Sequence, residues 1–81
     1  MTPIAYQIFS RNNDTNGNPY RLALVYSDRG TVIKAYEFRQ SSINSYLSTL
    51  YPNTPQLPTM HLQPSEYNET RTAFKEVLEN H

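Results

Sequence analysis

The chain has 81 residues, with seven Lys or Arg against seven Asp or Glu, and no cysteine. That length makes one small domain, residues 1–81, which buries roughly 60–65% of its unfolded surface and so has a thin stability margin. The neutral balance gives no global attraction to nucleic acid or membranes, the missing cysteines exclude disulfides and Cys-ligated metal centres, and no apolar run approaches the ~20 residues of a membrane span.

The opening MTPIAYQIFSRNN lacks the basic start and apolar core of a secretory signal, so the chain reads as soluble and cytoplasmic. Residues 4–11, IAYQIFSR, are rich in Ile and aromatics and have the length of a strand. The polar stretch NNDTNGNP follows, with Asn-Gly as a turn signal. The stretch YRLALVYSDRGTVIKAYEFR, with Pro19 just before it, reads as two strands, Pro19–Ser27 and Thr31–Arg39, around a tight turn at Asp28-Arg29-Gly30.

Both turns place Gly third in a three-residue loop, the pattern of a type I turn closed by a left-handed Gly. Simple closure then pairs Ser27 with Thr31, Val25 with Ile33, Ala23 with Ala35 and Arg21 with Glu37. At the first turn it pairs Asp14 with Asn18, Ser10 with Leu22 and Ile8 with Leu24. Side chains alternate across a strand. One face therefore gathers Ile4, Tyr6, Ile8, Tyr20, Leu22, Leu24, Tyr26, Val32, Lys34, Tyr36 and Phe38, and this heavier face is assigned to the core. The lighter face gathers Ala5, Gln7, Phe9, Arg11, Arg21, Ala23, Val25, Ile33, Ala35, Glu37 and Arg39.

Gln40-Ser41-Ser42 supplies a helix N-cap. Ile43, Tyr46, Leu47, Leu50 and Tyr51 then form a one-sided apolar stripe, and Pro52 ends the helix. Residues 52–64, PNTPQLPTMHLQP, hold four of the six prolines; they read as an extended connection in which Thr59–Gln63 either adds a short edge strand or stays irregular. Pro64 to Glu79 reads as a second helix, started by Pro64, Ser65 and Glu66, lined by Tyr67, Phe74, Val77 and Leu78, and carrying a Lys75–Glu79 pair. The expected fold is α+β: a three-stranded antiparallel meander followed by two helices (β-β-β-α-(β)-α), with the helices packed on one face of the sheet.

No catalytic constellation emerges. His61 stands alone in the proline-rich stretch and His81 is terminal, which supplies neither a zinc ligand set nor a nucleophile–base–orienter arrangement with Ser41, Ser42, Ser45 or Ser48. Asp14 and Asp28 are explained by turns, Glu66 and Glu69 by a helix start, and two glycines exclude a Gly-rich phosphate loop. No cofactor and no metal site are expected.

The seven tyrosines suit half-wet contact positions, and a small sheet offers edges for pairing. The sequence therefore points to a small non-enzymatic binding module acting through protein–protein contacts, a regulator or inhibitor, with a protein partner or self-association as a homodimer. The alternative is a single-stranded nucleic-acid-binding module that uses Phe9, Arg11, Arg21 and Arg39 on the lighter sheet face, since bases stack on exposed rings and cations hold phosphates. A membrane partner and a small-molecule cofactor are not expected.

Overall fold

The structure is a computed structural model that describes residues 2–11, 20–40 and 42–80. The turn expected at 14–18, Ser41 and His81 lie outside the described residues. Elements follow in the order β1 (Pro3–Arg11), β2 (Tyr20–Ser27), β3 (Val32–Arg39), α1 (Ile43–Leu50), β4 (Gln56–Leu62), α2 (Pro64–Ala73) and β5 (Leu78–Asn80). The fold is α+β, as expected, but the sheet is mixed and five-stranded, ordered β4-β1-β2-β3-β5. The antiparallel meander β1-β2-β3 forms its centre. β4 adds to β1 in parallel, and β5 adds to β3 in parallel.

The second turn closes as its residues dictate. Ser27 N–H donates to Thr31 O at 2.8 Å and Gly30 N–H to Ser27 O at 3.0 Å. Gly30 takes φ +77°, a left-handed conformation that Gly adopts without a Cβ penalty. Beyond Thr31 the expected register fails. Tyr26 faces Val32, but Val25 faces Lys34, so Ile33 is an extra residue in a β-bulge. A one-residue shift sends each later side chain to the opposite face. Ala23 therefore stands opposite Tyr36 and Arg21 opposite Phe38, while Glu37 meets Leu22. The β1 side is displaced by one as well, with Ile8 opposite Ala23 and Phe9 opposite Leu22.

The two faces of the sheet are consequently both apolar. One carries Tyr6, Ile8, Ala23, Val25, Tyr36 and Phe38, packed by Ile43 and Leu47 of α1. The other carries Phe9, Leu22, Leu24 and Ala35, packed by Tyr67 of α2. The expectation that both helices share one face is thus corrected. The reason is topological. β3-α1-β4 crosses the sheet in one direction and β4-α2-β5 crosses back. Parallel crossovers are right-handed, so opposite directions place the two helices on opposite faces.

The last segment differs from expectation in a second way. α2 begins at Pro64 with a capping box, in which Gln63 N–H donates to Glu66 Oε1 at 3.2 Å. It stops at Ala73; turns then carry Val77 N–H to Phe74 O and Leu78 N–H to Lys75 O. Leu78 leaves the turn to pair with Ala35. Glu79 accordingly bonds Lys34 Nζ at 3.1 Å, across β5 and β3, in place of the expected Lys75 pairing. Glu37 likewise accepts from Arg71 Nε of α2 at 2.9 Å, in place of the expected cross-strand Arg21 pair.

Candidate functional site

The four residues expected to form one basic, aromatic face are not brought together. Phe9 is buried in the α2-side core, where its ring is in contact with protein and closed to a stacking base. Arg11 is half-buried. Arg39 lies over the Tyr20 ring, 5.5 Å from its centroid, at the open end of the sheet. Arg21 lines a cavity on the α1 side, donates from Nη1 to Tyr20 O at 2.9 Å, and together with Arg11 acts electrostatically on the Tyr67 hydroxyl.

That cavity is lined by residues of three strands and of the segment that opens α1. Its volume is about 380 Å³. Ile8 and Ser10 of β1, Arg21 of β2, and Gln56, Thr59 and His61 of β4 form its sheet wall. Gln40, Ile43 and Asn44 at the start of α1 close it from above. Each contribution follows from the fold. Parallel pairing of β4 with β1 sets His61 against Ser10, and the α1 crossover lays its first turn over the same strands.

Ser10 Oγ and His61 Nδ1 lie 2.7 Å apart. Ser10 is buried and His61 is at the surface. A serine hydrogen-bonded to a histidine is two parts of a nucleophilic arrangement. The third part, a carboxylate orienting the ring, is not among the described lining residues; the cavity joins the pair with Arg21 and side-chain amides instead. Among the described residues no group of three or more His, Asp or Glu side chains could hold a metal ion. Ser10 was not singled out in the sequence because the bond spans 51 residues and depends on a parallel pairing that local patterning does not encode.

β4 is the second feature. It is an edge strand of seven residues, of which six are exposed. Gln56, Thr59 and His61 face the cavity, while Leu57 and Met60 are 38% and 45% exposed on the other side. Ile4 of β1 is also exposed, at 49%. A polar relay fastens the strand: Tyr26 OH donates to Gln7 Oε1 at 3.2 Å and Gln7 Nε2 donates to Pro58 O at 2.9 Å. It bridges the bulge where β4 departs from regular pairing, between the Gln7–Leu57 and Phe9–Met60 positions. β5, at the opposite edge, has only three residues.

Most tyrosines serve the core or its margins. Tyr36 OH and Tyr51 OH are 2.8 Å apart, and burial together with that bond pushes the Tyr36 hydroxyl well above the usual phenol range. Tyr6 and Tyr46 pack around the same group. Tyr67 is different. It is 2% exposed and its hydroxyl has no hydrogen-bond partner among the described residues. Burial, then the nearby Glu37 carboxylate, pushes its pKa up to about 12.

No helix among the described residues is long and apolar enough to cross a membrane. Comparison of the chain with family models, with curated proteins and with solved structures returned no match.

Proposed function

We propose that the chain is a small non-enzymatic binding module that acts through protein–protein contacts at the β4 edge. The observation that carries this reading is the contrast between the two edges of the sheet. β5 is three residues long, whereas β4 presents seven residues with Leu57 and Met60 left in solvent. An uncovered edge strand is a template for pairing with another chain, with main-chain hydrogen bonds giving affinity and side chains giving register. Pro58 supplies no donor, so Thr59 to Leu62 is the run fitted to pair.

A second copy of the chain is the simplest occupant, since two β4 edges related by a two-fold axis are self-complementary. Sedimentation velocity at rising protein concentration is expected to show a monomer–dimer equilibrium. Met60→Lys, which places a charge on the edge, is expected to shift that equilibrium at least tenfold toward monomer, a change of about 1.4 kcal/mol. A monomer at every concentration, combined with a protein partner captured equally by wild type and Met60→Lys, contradicts the edge as the contact.

A further inference from the structure

We propose that two copies of the chain join along β4 in one register, with Met60 facing Met60 across a two-fold axis, so that their two α1-side cavities meet as one groove. This deepens the edge contact proposed above and rests on it. The backbone phase of β4 decides which of its groups face a partner. Tyr6 N–H donates to Pro55 O at 3.1 Å, so the backbone groups of Tyr6 point to β4. Strand residues two apart point the same way, so those of Ser10 do too. Ser10 stands beside His61 in the parallel ladder. A residue turned toward a parallel partner bonds the two residues that flank its neighbour. Met60 and Leu62 therefore carry the bonds to β1, while Thr59 and His61 turn their N–H and C=O away from it.

An antiparallel copy centred on Met60 pairs Thr59 with His61 of the second copy, and His61 with its Thr59, using all of these outward groups. A register centred on His61 needs the Gln63 N–H, which Glu66 Oε1 already holds at 3.2 Å. One centred on Thr59 runs onto the β-bulge and onto Pro58, which has no N–H. The occupant is a second copy because side chains near a two-fold axis meet their own kind, where a charged residue would repel itself. Gln56–Leu62 carries no Lys, Arg, Asp or Glu, the residues that commonly guard an edge against self-pairing. Met60, 45% exposed, gains an apolar neighbour instead. Facing residues of antiparallel strands put their side chains on the same side of the sheet, and Thr59 and His61 both line the cavity. The two cavities, about 380 Å³ each, thus adjoin across the axis, with a Ser10–His61 pair in each.

The chain has no cysteine, so single introduced cysteines report the register. Met60→Cys, His61→Cys and Leu57→Cys are each oxidised under mild conditions and resolved without reductant, beside sedimentation velocity of the wild type. Facing residues of a non-hydrogen-bonded antiparallel pair have Cα atoms about 4.5 Å apart, within the roughly 4.4–6.8 Å that a disulfide spans. Met60→Cys is expected to form a covalent dimer at least about tenfold faster than the other two, whose like residues stand beyond ~7 Å in this register. Thr59→Cys mixed with His61→Cys is expected to give the mixed dimer ahead of either like pair. Wild-type dimers in which His61→Cys or Leu57→Cys links as fast as Met60→Cys overturn the register while the edge reading stands. A wild type that stays monomeric at every concentration overturns both.

Discussion

Leu47→Ala and Leu22→Ala are each expected to destabilise the protein by about 2–5 kcal/mol, the range for truncating a leucine in a closed core. Neither side chain has any exposed surface. Leu47 reaches from α1 into the Tyr6, Ile8, Val25 and Phe38 cluster, and Leu22 sits beneath α2 with Phe9, Leu24 and Tyr67. An 81-residue domain has a total stability of about 4–12 kcal/mol at ~0.05–0.15 kcal/mol per residue. Either change therefore removes a large part of the whole, and both together leave little folded protein. Urea unfolding followed by far-UV circular dichroism measures each loss. Because the sheet lies between the two sites, milder Leu→Val changes at both positions are expected to add, with an interaction energy within about 0.5 kcal/mol of zero.

The second large effect belongs to Tyr67. A buried hydroxyl without a partner has lost water and gained nothing, a penalty of about 1–3 kcal/mol. Tyr67→Phe keeps the ring and removes the oxygen, so at pH 8 it is expected to stabilise the fold by about 1 kcal/mol. The pH dependence fixes the cause. In the unfolded chain the phenol titrates near 10, and in the fold at about 12. The neutral form is thus favoured by folding. Its contribution is fully present below pH 10 and is lost as pH rises through 12. The advantage of Tyr67→Phe over wild type is expected to grow between pH 10 and 12 by a further amount on the order of 2 kcal/mol. Denaturant midpoints at pH 8, 10 and 11.5 check this, and an advantage that stays constant across that range rules out the buried phenol as its source.

These effects lie in the part of the fold that the sequence specifies least. The three meander strands and α1 were legible because their signals are local. β-branched and aromatic runs mark the strands, a Gly at the third loop position marks the turn, and apolar spacing from Ile43 to Tyr51 marks the helix. The faces were not legible. Alternation assigns sides only once register is known, and the bulge at Ile33 changes register without leaving a distinctive residue behind. Leu22 and Leu24 were expected to be buried, and they are, but beneath α2 and not on the same face as Tyr36 and Phe38.

β5 was missed for a related reason. Phe74, Val77 and Leu78 continue the apolar side that Tyr67 opens on the helix from Pro64, and all four residues do reach the α2-side cluster. Their burial was correct and their backbone was not. Once α2 ends at Ala73, Leu78 and its neighbours gain hydrogen bonds from the free edge of β3. The candidate cavity was the least legible feature. Ser10 and His61 meet only through the parallel β1–β4 pairing, and Arg21 shares their cavity only because the β1–β2 register is displaced by one. Had the expected β1–β2 register held, with Ser10 opposite Leu22, Arg21 and Ser10 would have stood on opposite sides of the sheet.

The uncovered β4 edge rests on that register and on a helix over each face. Nuclear Overhauser contacts between side chains test it most directly. The account predicts contacts from the Tyr67 ring to the methyl groups of Leu22 and Leu24, and from the Leu47 methyl groups to Val25, with none between Leu47 and Leu24. Contacts of Leu47 with Leu22 and Leu24, and none from Tyr67 to either, would return both helices to one face and contradict the account.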